Sequence, residues 1–427
     1  MSDAAHHARL ERDGALLAHP PFILFFVARC LAMLGRQMVA VAVGWQMYAL
    51  TGSALDLGFV GLAQFVPSFL LVLVAGHVAD RFNRRRVVQA CVIVEGAAAL
   101  GLCVGSALGH IEPAMIYALV VVVGASRAFE MPTMQALLPA VVPESILARA
   151  IAANASAGQT AIIVGPALGG LLYVAGASVA YGASATLFLV TAIVLYFVKS
   201  RHAPRSAQAP RLSSVLDGIR FIRGHKAVLG AISLDMFAVL LGGATALLPI
   251  YARDILHTGP WGLGLLRSAT AVGALGMAIW LARHPLRAHA GRRMFEAVAL
   301  FGVATIVFGV SRSFALSLIA LTVLGAADMV SVVVRQSLVQ LQTPDHMRGR
   351  VSAVNALFIG TSNQLGEFES GLTAAWLGVV PSVVAGGLGT LAIVVLWIRF
   401  FPALAATNRL DVRALEVERA AEAKSAR

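Results

Sequence analysis

The 427 residues are 59% hydrophobic and only 13% charged, with a mean hydropathy of +0.81. Soluble domains run roughly 45–50% apolar and about 25% charged, so most of this surface must face lipid and a water-soluble fold is excluded. The net charge of +12 cannot be assigned a partner before its location is known, and Cys30, Cys91 and Cys103 all sit in apolar runs without disulfide or metal-ligand spacing.

A helix crossing the hydrocarbon needs roughly 20 mostly apolar residues. Backbone groups must be paired internally in lipid, and these runs are too long for barrel strands. The segment 1–21 is polar, lacks an apolar core and reads as cytoplasmic rather than as a cleaved leader. Six spans follow at 22–50, 58–79, 87–108, 114–137, 146–174 and 178–199. The stretch 200–227, including RHAPRSAQAPRLSS, is a solvated linker whose SVLDGIRFIRGH end has the pattern of a surface amphipathic helix. Six more spans lie at 228–253, 261–282, 293–311, 313–340, 350–377 and 381–402, and the tail 403–427 alternates charges with alanines.

Lys and Arg collect in the N-terminal segment, the tail and the even-to-odd loops: Arg81 and Arg84–Arg86, Arg201 to Lys226, Arg283 to Arg293, Arg348 and Arg350. The opposite loops hold only Arg253 and Arg312. Basic loops stay inside, so both termini are expected in the cytoplasm of an inner-membrane protein. The positive charge then lies over the anionic leaflet and not on nucleic acid.

Shifted against itself by 201 residues, the chain aligns Gln135 with Gln336, Pro143 with Pro344 and Glu144 with Asp345. Asn154 then meets Asn355, Thr160 meets Thr361, Gly165 meets Gly366 and Gly170 meets Gly371. Such a repeat predicts an all-α integral membrane protein of twelve transmembrane helices in two pseudo-symmetric six-helix bundles, 22–199 and 228–402. A central cavity that opens by rocking goes with that architecture, and transport is its natural use.

Four motifs carry a family resemblance. The loop GHVADRFNRRR, from Gly76 to Arg86, is similar to the signature loop of the major facilitator superfamily through Gly76, Asp80, Arg81, Arg84 and Arg85. Asn83 replaces the usual glycine, and Asn tolerates the left-handed conformation a glycine supplies. In that family the loop is a cytoplasmic latch pairing across the two halves. On the fifth span, AIIVGPALGG with Gly165, Pro166, Gly169 and Gly170 resembles the antiporter motif of facilitator exporters. Its counterpart in the second repeat reads GEFESG, with Glu367 at the Pro166 position. PTMQALLPAVVPE and TPDHMRGRV resemble loops of the branch that includes siderophore and macrolide exporters. The resemblance implies a proton-coupled, drug-antiporter-like exporter of amphipathic small molecules, working as a monomer in the cell membrane. An importer or facilitator of a small metabolite and a non-transporting membrane scaffold or sensor are the competing readings.

Ionisable groups inside spans cost roughly 2.5–3.5 kcal/mol each on insertion and are functional by default. They are Arg29 and Arg36, Glu95, Arg127 with Glu130, Asp235, Arg267, Asp328 with Arg335, and Glu367 with Glu369. Arg127 and Glu130 are spaced to pair on their own helix. Asp328 and Glu367 are expected to include the proton-coupling carboxylate, with Arg36, Arg127, Glu130 and Arg335 around the cavity. Glu95, Asp235 and His77 are read as interfacial groups near the cytoplasmic boundary. Gln37, Gln64, Asn154, Asn355, Asn363 and Gln364 either line the cavity or join helices. No nucleophile constellation, phosphate loop, cofactor motif or metal cluster is visible, so no enzymatic activity is expected.

Overall fold

A computed structural model describes residues 16, 19–199, 212–286 and 289–407. The expectations for residues 1–15, most of the linker and the tail beyond 407 lie outside the described residues. Helices make up nearly all of the rest, and no strand occurs among the described residues.

The first six spans are α1 (Pro20–Thr51), α2 (Ala54–Arg81), α3 (Arg84–Ala107), α4 (Pro113–Val141), α5 (Glu144–Val174) and α6 (Ala177–Phe197). The linker helix α7 (Leu212–Gly224) leads into α8 (Lys226–Leu241), α9 (Gly259–Arg283), α10 (Ala290–Val310), α11 (Phe314–Gln342), α12 (Asp345–Leu377) and α13 (Val379–Phe400). Their punctuation is local. Pro20 and Pro113 occupy first-turn positions where a missing N–H costs nothing. Gly378, at φ +90°, turns the chain sharply from α12 to α13. Eleven helices among the described residues are long and apolar enough to cross a bilayer. The remaining long one, α12, has 33 residues but carries Arg348, Arg350, Asn355, Asn363, Gln364, Glu367 and Glu369.

The seventh span departs from the expected continuous helix. It stops at Leu241, passes through a 3-10 turn at Ala244–Leu247 and ends in a π-helical turn at Tyr251–Ile255. Gly242 and Gly243 lie at the break, and Pro249 removes a further backbone donor. Side chains would not fit at the break, because a Cβ on Gly243 would meet the Gly366 backbone of α12 at 2.6 Å. Beyond it, the Tyr251 hydroxyl donates to the Gly309 carbonyl at 2.8 Å, fixing the end of the span on α10.

The chain divides into two units. One comprises the residues up to Gly52, Ala63 to the linker, and Gly259–Ser268; the other comprises Ser53–Leu62, the linker helix to Thr258, and Ala269 onward. In the first, α1 packs on α5 and α6, and α3 on α4 and α6. The second repeats that pattern, α8 on α12 and α13, and α10 on α11 and α13. Each has its own apolar interior, around Phe25, Val92, Leu137 and Phe188 in the first and around Leu234, Met294, Val334 and Leu338 in the second.

Candidate functional site

Each unit buries a charge cluster. In the first, α1 brings Arg36 to α3 and α4. Its Nη1 donates to Glu130 and, at 3.3 Å, to Oε2 of Glu95. Glu95 is 1% exposed and Glu130 4%, and the Oε1 atom of each has no hydrogen-bond partner. One turn before these carboxylates, Ser126 of α4 donates to the Cys91 carbonyl of α3 at 3.0 Å and locks the two helices together. Arg127 donates to Gln64 Oε1 of α2 at 3.2 Å. The expected on-helix partner of Arg127 is thus engaged by Arg36.

In the second unit α8, α11 and α12 converge. Arg335, 2% exposed, contacts Asp235 Oδ2 at 3.3 Å through Nη2 and donates to Asn355 Oδ1 at 3.2 Å through Nη1. Ser331 donates to the other Asp235 oxygen at 3.0 Å. A small cavity beside the pair is lined by Asp235, Asp328, Ser331, Ala238, Val239, Ala327, Val298 and Phe301. Asp328 makes no hydrogen bond among the described residues, and the charges of Asp235 and Arg335 both act on it. An unengaged acid on a cavity wall can exchange a proton at little structural cost, whereas Asp235 has both oxygens occupied.

Glu95 and Asp235 therefore correct the interfacial reading. Glu95 lies eleven residues into α3, about 16 Å at the helical rise, and Asp235 sits mid-way along α8. A sequence signal for both existed: Arg36 and Arg335 are buried cations that need carboxylates from other helices. His77 is exposed. Glu367 does not line the Asp328 cavity. Its carboxyl lies on α2, where a Cβ added to Gly61 would meet Oε2 at 2.8 Å, and Glu369 is half-buried elsewhere on α12.

Two arginines of the basic loop bond to backbone carbonyls of their own unit. Arg84 donates to the Ala136 carbonyl at 3.2 Å and Arg85 to the Tyr196 carbonyl at 2.7 Å, so both cations sit near the C-terminal ends of α4 and α6, the negative end of the helix dipole. Arg81 is exposed, Gly76 lies inside α2, and the Asp80 side chain is outside the described residues. Asn83 is not left-handed. Its φ is −64°, and its Oδ1 accepts from the Arg86 N–H at 3.3 Å, so it serves as the N-cap of α3.

The glycine motif packs helices. A Cβ on Gly165 would meet Gln37 Cβ at 2.5 Å, and one on Gly169 would meet Met38 Cα at 2.7 Å, so both faces lie against α1. Gly170 and the Pro166 carbonyl press instead on Pro260 and Gly264 of α9. The repeat preserves this approach in the second unit, where a Cβ on Gly371 would meet Gly58 Cα of α2 at 2.8 Å.

Residues 14–423 match the family described as transmembrane secretion effector. The chain is 27% identical over 383 residues to the enterobactin exporter EntS of Escherichia coli O81 (strain ED1a), covering 89% of this chain and 92% of that protein. The enterobactin exporter of Shigella boydii serotype 18 (strain CDC 3083-94 / BS512) matches to the same extent. Among solved structures, a bacterial homologue of the human lysosomal transporter Spinster, inward-facing and unoccupied, superposes with a TM-score of 0.70 at 13% identity, over 90% of this chain and 97% of that one. The POT family transporter PepTSo gives 0.71 at 11%, over 91% and 98%. The polytopic helical fold, the repeat and these likenesses agree: the chain is a membrane transporter belonging to the transmembrane secretion effector family of the major facilitator superfamily.

Proposed function

We propose that this transporter exports an amphipathic small molecule of siderophore-like or drug-like character from the cytoplasm, by alternating access of its two repeats and in exchange for protons. The observation that carries the coupling is Asp328, an acid without a hydrogen bond on the wall of a cavity inside the second unit. A low-dielectric wall favours the protonated carboxyl, and an approaching cation favours the ionised one. Asp328, with Glu367 as the second candidate, thus has the means to take up a proton in one state and release it in another. Arg36, Arg127, Glu130 and Arg335 belong to the same machinery as partners that set those charges. The outward direction and the siderophore-like substrate rest on likeness to enterobactin exporters along 89% of the chain.

The remaining parts of the reading come from the sequence. They are six-helix bundles at 22–199 and 228–402, cytoplasmic termini, an inner-membrane location, a monomer, Gly76 to Arg85 as the cytoplasmic gating loop, and the Gly165–Gly170 motif as the exchanger element. Comparing the media of iron-limited cells with and without this chain tests the export: a small amphipathic compound missing from the medium of cells that lack it is the expected result. In everted vesicles, Asp328→Asn and Glu367→Gln should remove the dependence of that flux on the proton gradient. Full gradient-driven transport by both variants would refute the coupling, and a compound that instead accumulates inside cells would favour the importer reading.

A further inference from the structure

We propose that Glu95 of α3 is a second proton-carrying carboxyl, seated in the first unit, with Glu130 retaining Arg36 whether Glu95 is protonated or not. The proposal deepens the export reading and rests on it for the use made of the proton. Glu95 is the most buried acid of its cluster, at 1% exposed. Its compensation is incomplete: Arg36 reaches Oε2 at 3.3 Å, whereas charge-assisted bonds of this kind run about 2.7–2.9 Å, and Oε1 has no partner. Glu130 is the closer partner of the same guanidinium nitrogen. One guanidinium cannot fully compensate two desolvated carboxylates, and where like charges share a site the proton goes to the less well held of them.

The surroundings do not supply the missing donor. Arg127 and Arg29 act on the cluster from α4 and α1, but Arg127 is bonded to Gln64 of α2. Cys91, one turn before Glu95, has its carbonyl taken by Ser126. From α6, which packs on α1 and α3, apolar Phe188 lies against Gly35 and Gly96, the chain neighbours of Arg36 and Glu95, and α5 presents Gly165 and Gly169 to α1. Release then follows from geometry. A shift of α4 that brings Arg127 closer, while Arg36 stays on Glu130, replaces the proton by a positive charge.

The test uses the full chain in lipid nanodiscs and needs no transported compound. In infrared difference spectra between acidic and alkaline pH, a protonated-carboxyl band should appear at acidic pH and be lost in Glu95→Gln; a band unchanged in that variant overturns the proposal. If Glu95→Gln does not fold, dicyclohexylcarbodiimide, which modifies protonated carboxyls in apolar surroundings, decides on the unaltered chain. Peptide mass spectrometry should then find Glu95 modified at acidic pH and spared at alkaline pH, and no modification at any pH overturns the assignment. Glu130→Gln leaves Arg36 to Glu95 alone and should cut that modification about tenfold or more. An unchanged yield refutes the division of roles. Loss of export alone would leave these readouts intact, so the two readings can fail separately.

Discussion

The first unit sets one arginine between two acids, while the second commits its arginine to one acid and leaves the other beside a cavity. The helices explain how. Arg36 comes from the first span of its repeat and Glu130 from the fourth; Asp235 comes from the first span of the second repeat and Arg335 from the fourth. The same pair of helices is bridged in both units with the charges exchanged. In the repeat register Glu130 falls on Ser331, and Met134 stands where the second unit has Arg335. What duplication preserved is the demand for a buried ion pair between these two helices, not the residues that meet it. A fixed pair costs desolvation and yields position, and the less fully compensated acid of each unit, Glu95 or Asp328, is the one proposed above to change its charge.

The widest difference should come from removing the arginines. Arg335→Ala leaves Asp235 buried and uncompensated, and should cost about 3–5 kcal/mol, read as a fall in the thermal unfolding midpoint of the purified protein. Replacing both partners, Arg335→Met with Asp235→Leu, should recover most of it. Arg36→Met should cost less, about 2–3 kcal/mol, because its side chain is 18% exposed and the proposed uptake of a proton by Glu95 would relieve part of the charge left behind. Equal losses at the two arginines would break the contrast between the units. Next in size is overpacking at a helix contact that both repeats keep in their own form. Gly170→Val against Pro260 and Gly371→Val against Gly58 should each cost about 1–3 kcal/mol, measured by the same melting experiment. The smallest effect sharpens the comparison most. Asn355→Leu deprives Arg335 of a partner and should cost about 1 kcal/mol. Its repeat equivalent Asn154 has a buried Oδ1 without a hydrogen bond, so Asn154→Leu should be neutral or stabilising.

The helices were legible because twenty-residue apolar runs have few alternatives in lipid, and their ends fell close to the expected positions. The charged members of the clusters were legible for the opposite reason, since Arg36, Glu130, Asp328 and Arg335 stand out against apolar neighbours. Depth was not. Glu95 and Asp235 lie only eight and seven residues inside the expected spans 87–108 and 228–253, and nothing on their own helices shows that each is buried against an arginine from another helix. Pairing across helices was equally hidden, because the repeat places Arg127 opposite Asp328 in register whereas each cluster closes within its own unit. The break after Leu241 and the capping role of Asn83 depend on what stands beside them, Phe301 and Gly366 in one case and the first turn of α3 in the other.

The polarity of α12 has a consequence for biogenesis. Polar along much of its 33 residues, it is the long helix least able to partition into lipid alone, and in the finished protein it packs against α7, α8 and α13. Its synthesis follows that of α8 and precedes that of α13, so the emerging segment has one side of its eventual cover waiting and the other still to be made. Membrane integration of the last third of the chain is therefore expected to be cooperative, with α12 held at the insertion machinery until α13 arrives. In a chain truncated after Leu377, a cysteine placed in this segment should react with a membrane-impermeant maleimide, while in one extended beyond Phe400 it should be protected.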